Sequence, residues 1–127
     1  MPVPLTEQIM VDAVHAYVAA FDRGDAAAVA ALFADDATVE DPIGTEQKRG
    51  REAILDFYTQ SMATGAKLTL QGPMRVAPPY AAFAFQVALH HGGADLVVDV
   101  IDIFRFDTEG RIATMTAYFG PSNMRGA

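Results

Sequence analysis

The sequence predicts an α+β fold in which a curved sheet wraps over three helices. Two observations carry this. Apolar residues recur at helical spacing through the first half of the chain and at a spacing of two after Gly65. The two kinds of segment are segregated along the chain, which argues against alternating βαβ units. Composition adds a third. Hydrophobic residues make up 51% of the 127 positions, so disorder is excluded. The length fits one domain, residues 1–127. Such a chain buries about two thirds of the surface its unfolded form exposes, enough for a core and one enclosed pocket.

The first helix is predicted from Leu5 to Arg23. Met10, Val14, Tyr17, Val18 and Phe21 form its apolar face, Thr6 is the N-cap and Gly24 the terminator. Asp25 caps a second, Ala-rich helix running to Phe33, so that Asp35 and Asp36 follow its end in solvent. A short strand, Ala37–Asp41, is stopped by Pro42, and a third helix after Gly50 carries Ile54, Tyr58, Ser61 and Met62 on one stripe. Leu68 and Leu70 then alternate with polar neighbours, and Pro78-Pro79 breaks the chain. Phe83, Phe85, Val87 and Leu89 share one strand face up to a hairpin signal at His91-Gly92-Gly93. A long strand from Asp95 to Phe106, a turn at Thr108-Glu109-Gly110 and a strand from Ile112 to Phe119 complete the sheet. Consecutive antiparallel strands curved over helices enclose a cone-shaped cavity.

Several function classes drop out. A formal net charge of −7 without a Lys/Arg run is unsuited to nucleic acid or anionic membranes. The absence of cysteine removes thiolate catalysis, disulfides and Cys-based zinc sites. No apolar stretch approaches the roughly 20 residues of a membrane helix. The N-terminal segment lacks the layout of a signal peptide, and a cytoplasmic protein is the simplest reading. His90 and His91 flank a hairpin turn, where a solvated role outweighs metal ligation; no metal is expected. No GxSxG, Walker A, GxGxxG or HExxH pattern occurs.

Three residues break the apolar pattern. Along the long strand Leu96, Val98, Val100, Asp102, Phe104 and Phe106 share a face, which places one carboxyl among large apolar groups. An unpartnered buried carboxylate is so unfavourable that the group keeps its proton and becomes a hydrogen-bond donor. The other reading of Asp102 is a structural carboxylate satisfied by an Arg or by backbone N–H groups. Asp99, on the opposite face with Arg105 and Asp107, is the contrast. In the short strand Ala37, Val39 and Asp41 share a face, so Asp41 is the inward acid of the Glu40-Asp41 pair. Its other reading is a turn opener before Pro42. Tyr17 and Tyr58 lie on buried helix faces, where packing with a satisfied hydroxyl is the ordinary role. Together these residues offer one base candidate and neutral donors, the pairing that acid–base chemistry uses.

At these residues the sequence resembles a known family. Tyr17-Val18-Ala19-Ala20, the run Phe33-Ala34-Asp35-Asp36-Ala37-Thr38-Val39-Glu40-Asp41-Pro42, Phe57-Tyr58, Asp99-Val100-Ile101-Asp102 with Phe104-Arg105-Phe106, and Met115-Thr116-Ala117-Tyr118-Phe119 are similar to the bacterial ketosteroid isomerases. The resemblance spans roughly residues 8 to 123. It implies the cone-like fold of the nuclear transport factor 2-like (NTF2-like, cystatin-like) superfamily and a homodimer. It implies conversion of a 3-oxo-Δ5-steroid to the conjugated 3-oxo-Δ4-steroid through a dienolate, without a cofactor. By position it implies Asp41 as general base, Tyr17 and protonated Asp102 as the oxyanion hole, and Tyr58 as support for Tyr17. Keeping one carboxylic acid neutral at pH 7 is an established property of that family. The resemblance places Met115 and Phe119 at apolar wall positions, and the expected walls of the pocket for a small apolar ketone are Val18, Phe57, Phe85, Val100, Met115 and Phe119. Some members carry a tyrosine where this chain has Phe33, which lengthens their hydrogen-bond network.

Two other classes share these features. A dehydratase, polyketide cyclase or epoxide hydrolase could use the same fold. The epoxide hydrolases use an Asp–Arg–Asp set, and Arg105 falls on the face opposite Asp102. A non-catalytic binding or dimerisation module would have no use for two inward acids. The outward residues Val97, Ile101 and Ile103 are apolar as well, and a dimer partner would cover them.

Overall fold

The computed structural model describes residues 5–127; Met1–Pro4, part of the segment read as lacking a signal peptide, lie outside the described residues. Helix α1 is Glu7–Arg23. The Thr6 hydroxyl accepts from the Ile9 N–H, and Gly24 closes the helix in the left-handed region at φ 68°. Its buried face is Met10, Val14, Tyr17, Ala20 and Phe21, the predicted face except that Ala20 takes the place of Val18, which is only half-buried. Helix α2, Ala26–Ala30, is capped by Asp25, whose carboxylate accepts from the Ala28 N–H at 3.0 Å.

Here the structure departs from the expectation. The second helix ends at Ala30, and strand β1 runs from Phe33 to Glu40. Sheet pairing overrides alanine propensity: Phe33 lies opposite Ile112, and the Ile112 N–H donates to the Leu32 carbonyl at 2.9 Å. Asp35 and Asp36 therefore sit within a strand, exposed at a register shift between Phe33 and Thr38, rather than beyond a helix. Arg51 holds this irregular stretch. Its guanidinium donates twice to the Phe33 carbonyl, at 2.9 and 3.3 Å, and pairs with Asp35 at 3.2 Å.

The remaining elements are β2 (Lys48–Arg49), α3 (Arg51–Met62), β3 (Lys67–Leu70), β4 (Arg75–Ala77), β5 (Tyr80–His91), β6 (Ala94–Phe106), β7 (Ile112–Tyr118), a 3-10 turn at Pro121–Asn123 and β8 (Met124–Gly126). The short strands β2, β4 and β8 had no counterpart in the apolar pattern, and Phe119 lies just past the last long strand. The β5–β6 turn is Gly92-Gly93, both at positive φ, with His91 opposite Ala94. That is the two-residue connection whose twist suits adjoining strands.

The sheet is open and mixed. Its order is β2-β1-β7-β6-β5-β3, with β4 also on β5 and β8 also on β6. Pairing is antiparallel except between β1 and β7, which run parallel. The long β5 and β6 face Phe83, Phe85, Val98, Val100, Phe104 and Phe106 toward the helices, where they meet the buried side of α1 and Ile54 and Tyr58 of α3. Burying one such side chain fully contributes about 1.5–3 kcal/mol. Where the helices diverge from the curved sheet the core is not filled, and a cavity of about 330 Å³ remains.

Candidate active site

The alternation of β6 carries Asp102 inward between Val100 and Phe104. Its residue is 1% exposed, the sole buried charged residue among those described. Neither carboxyl oxygen has a hydrogen-bond partner among the described residues. The reading of Asp102 as a carboxylate satisfied by Arg or backbone groups therefore does not hold. Burial, and then the charge of Asp41, push its carboxyl well above the usual carboxylate range; the Tyr17 hydroxyl opposes this without reaching hydrogen-bond geometry. Asp99 behaves in the opposite way. Outward-facing, it is held by Arg125 at 2.5 Å and by Gln86 at 3.3 Å, and its carboxyl is lowered, first by the Arg125 bond.

Asp41 follows β1 at the turn into Pro42. The turn is secured by Glu40 instead: its carboxylate accepts from the Gly44 N–H at 2.6 Å and from the Gln47 amide at 3.3 Å. The Ile43 N–H, donating to the Ala117 carbonyl at 2.8 Å, ties the turn to β7. Asp41 lines the cavity, half-buried, and burial raises its carboxyl to about 6 while the ammonium of Lys48 lowers it. Lys48 is held 5.1 Å above the ring of Phe57, another cavity residue.

Tyr17 of α1 and Tyr58 of α3 are 2% and 1% exposed, and their hydroxyls share a hydrogen bond of 3.0 Å. Burial, first of all, raises both phenols well above their ordinary value; next, Tyr58 and then Asp102 raise Tyr17, and Asp102 raises Tyr58. Their rings are fixed by edge contacts, Tyr17 on Phe104 at 5.2 Å and Tyr58 on Phe57 at 5.1 Å. Phe33 packs its ring 5.9 Å from Tyr58, so the hydrogen-bonded chain stops at Tyr58.

Tyr17, Tyr58, Asp41 and Asp102 thus line one cavity. Of the apolar walls expected from sequence, Phe57, Phe85, Val100 and Phe119 line it as well. Val18 and Met115 do not. Val18, one step round α1 from Tyr17, is turned off the inward face. Met115, only 1% exposed, is sealed between Val39 of β1 and Phe104 of β6, its pairing partners. Sequence reasoning missed Val98, Val87, Leu89 and Leu68, although all follow from the same strand parity. It also missed Phe21, one turn beyond Tyr17, and Gln60 and Ser61, which share the helix face of Phe57. His90 contacts Asp95 at 2.8 Å in the exposed hairpin, away from this cavity. Among the described residues no three His, Asp or Glu side chains gather as metal ligands would, and no helix is long and apolar enough to cross a membrane.

Comparison with known proteins agrees with this architecture. The SnoaL-like domain family matches residues 14–115. A steroid Delta-isomerase of Nocardioides simplex is 42% identical over 113 residues, covering 88% of this chain and 90% of that protein. Among solved structures, the epoxide hydrolase/cyclase-like enzyme SalBIII, described in pyran ring formation in polyether salinomycin, superposes with a TM-score of 0.89 over 95% of this chain and 98% of its own. At 21% identity that likeness is one of fold. With three helices under an open, curved, mixed sheet and a steroid Delta-isomerase relative spanning most of its length, the chain belongs to the SnoaL-like domain family, and within the NTF2-like superfamily to the ketosteroid isomerases.

Proposed function

We propose that the cavity isomerises a β,γ-unsaturated ketone, a 3-oxo-Δ5-steroid in the first instance, to the conjugated α,β-unsaturated ketone. The observation that carries this is Asp102: a carboxyl buried without a partner, beside Tyr17, in a cavity that also holds a half-buried second carboxyl. In this reading Asp41, as carboxylate, takes the proton from the carbon between the carbonyl and the double bond. The electron pair moves onto the ketone oxygen and gives a dienolate. Asp41 then returns the same proton two carbons further along, and the carbonyl re-forms with the double bond in conjugation. Tyr17 and neutral Asp102 donate to the oxygen as its charge develops, and Tyr58 turns its own hydroxyl to donate to Tyr17. One such donor contributes about 3–4 kcal/mol of barrier lowering. The apolar walls strengthen both bonds by excluding water. The relative named as a steroid Delta-isomerase supports the reaction class. The outward apolar residues of β6 and β7, with Ile101 opposite Tyr118, support a homodimer.

The test is to mix the purified protein with 5-androstene-3,17-dione and follow the ultraviolet absorbance of the conjugated enone. Asp41→Asn should lower kcat by about 10²–10⁴-fold while circular dichroism and ligand binding persist. An absorbance rise no faster than in buffer removes the assignment.

A further inference from the structure

The polar groups of the cavity form two sets. Tyr17, Tyr58, Asp41 and Asp102 are one set, three of them almost wholly buried. Gln60 and Ser61 are the other. The face of α3 that carries Phe57 into the cavity carries these two at i+3 and i+4. Gln60 is exposed, so this second set lies at the mouth, whereas Tyr58 reaches the floor.

The sheet between the two ends offers only hydrocarbon. From the Phe83–Asp102 pair to the Leu89–Leu96 pair, every inward residue of β5 and β6 is apolar except Asp102 itself. That wall is seven residues long, six steps of about 3.3 Å, or about 20 Å. Neighbouring hydroxyls on and after α3 are engaged: Thr59 donates to the Leu55 carbonyl and Thr64 to the Ser61 carbonyl. The Gln60 amide and the Ser61 hydroxyl make no such bond among the described residues.

We propose that Gln60, assisted by Ser61, determines specificity by holding a second oxygen of the ligand, at the end remote from the reacting ketone. The ligand class is then an elongated apolar ketone with a carbonyl or hydroxyl at its far end. This rests on the reading above for the near end. An apolar wall does not distinguish one end of such a molecule from the other or fix its depth. An amide at the mouth does both, since it offers donors and an acceptor to either oxygen type. Remote binding of this kind orients the reacting end against the base.

The experiment uses two conjugated ketosteroids of one skeleton, one with a far-end ketone and one with hydrogen there. Calorimetry gives the ratio of their Kd values for the unaltered protein and for Gln60→Leu, and the matching β,γ-unsaturated ketones are assayed for turnover. The unaltered protein should prefer the far-end ketone by about 2- to 10-fold, the range of one neutral hydrogen bond. Gln60→Leu should erase that preference, because the ratio cancels changes common to both ligands. A ratio near one in the unaltered protein, or an equal ratio in both proteins, overturns the proposal. Turnover without a Gln60-dependent ratio leaves the isomerase reading standing and removes this one. A Gln60-dependent ratio without turnover does the reverse. Failure of both ligands to bind overturns both.

Discussion

Asp41 and Asp102 both hold their protons more tightly than ordinary carboxyls, but to different degrees and with different consequences. Asp41, at about 6, is ionised at neutral pH and suits a base. Its reaction should therefore rise with pH through about 6 in kcat/KM, then level off until the upward-shifted donors lose their protons. Lys48 lowers Asp41, so Lys48→Met should move that midpoint to higher pH; a pH–rate profile of both proteins checks it. Burial without any partner raises the carboxyl of Asp102 well above its ordinary range. The folded protein binds its proton more strongly than the unfolded chain does, so stability is greatest below the ordinary carboxylate range and declines as pH rises toward the folded value. Asp102→Asn, neutral throughout, should melt at nearly the same temperature as the unaltered protein at pH 4 and above it at pH 8. Thermal denaturation at both pH values decides this. Asp102→Ala should cost about 10²–10³-fold in kcat, and Asp99→Ala, on the wet face, little.

Among the elements, β1 depends most on a partner outside itself. Arg51→Ala leaves the Phe33 carbonyl without its two donated bonds and Asp35 without its cation. A loss of about 1–3 kcal/mol is expected, read from urea unfolding. This strand is also where the sequence was least legible. Ala26 to Phe33 has helical composition, and nothing local announces that Phe33 pairs with Ile112, far along the chain. By contrast α1, α3, β5 and β6 declared themselves through strong periodicity and through Thr6, Gly24 and Gly92-Gly93. Asp102 was legible for the same reason, since strict alternation admits no other face. Asp41 was not decided by spacing, because Glu40, its neighbour, secures the turn that Asp41 could have formed. Gln60 escaped notice because an exposed glutamine on a helix has no local signature.

The complete fold places apolar groups on both sides of its longest strands. Ile101 is 48% exposed on the outer face, next to Tyr118. Specific interfaces bury about 800 Å² per partner, and a patch of this kind is a natural centre for one. Sedimentation should give twice the chain mass, with Ile101→Lys shifting it toward one chain.

The parallel pairing of β1 with β7 has a consequence for biosynthesis. Asp41 is translated early, yet the turn beside it is anchored to the Ala117 carbonyl, and β1 has only the two-residue β2 beside it until β7 has emerged from the ribosome. Until then a nascent chain can form its helices, but not the hollow that gives its acids their character, and its greasy strands stay uncovered.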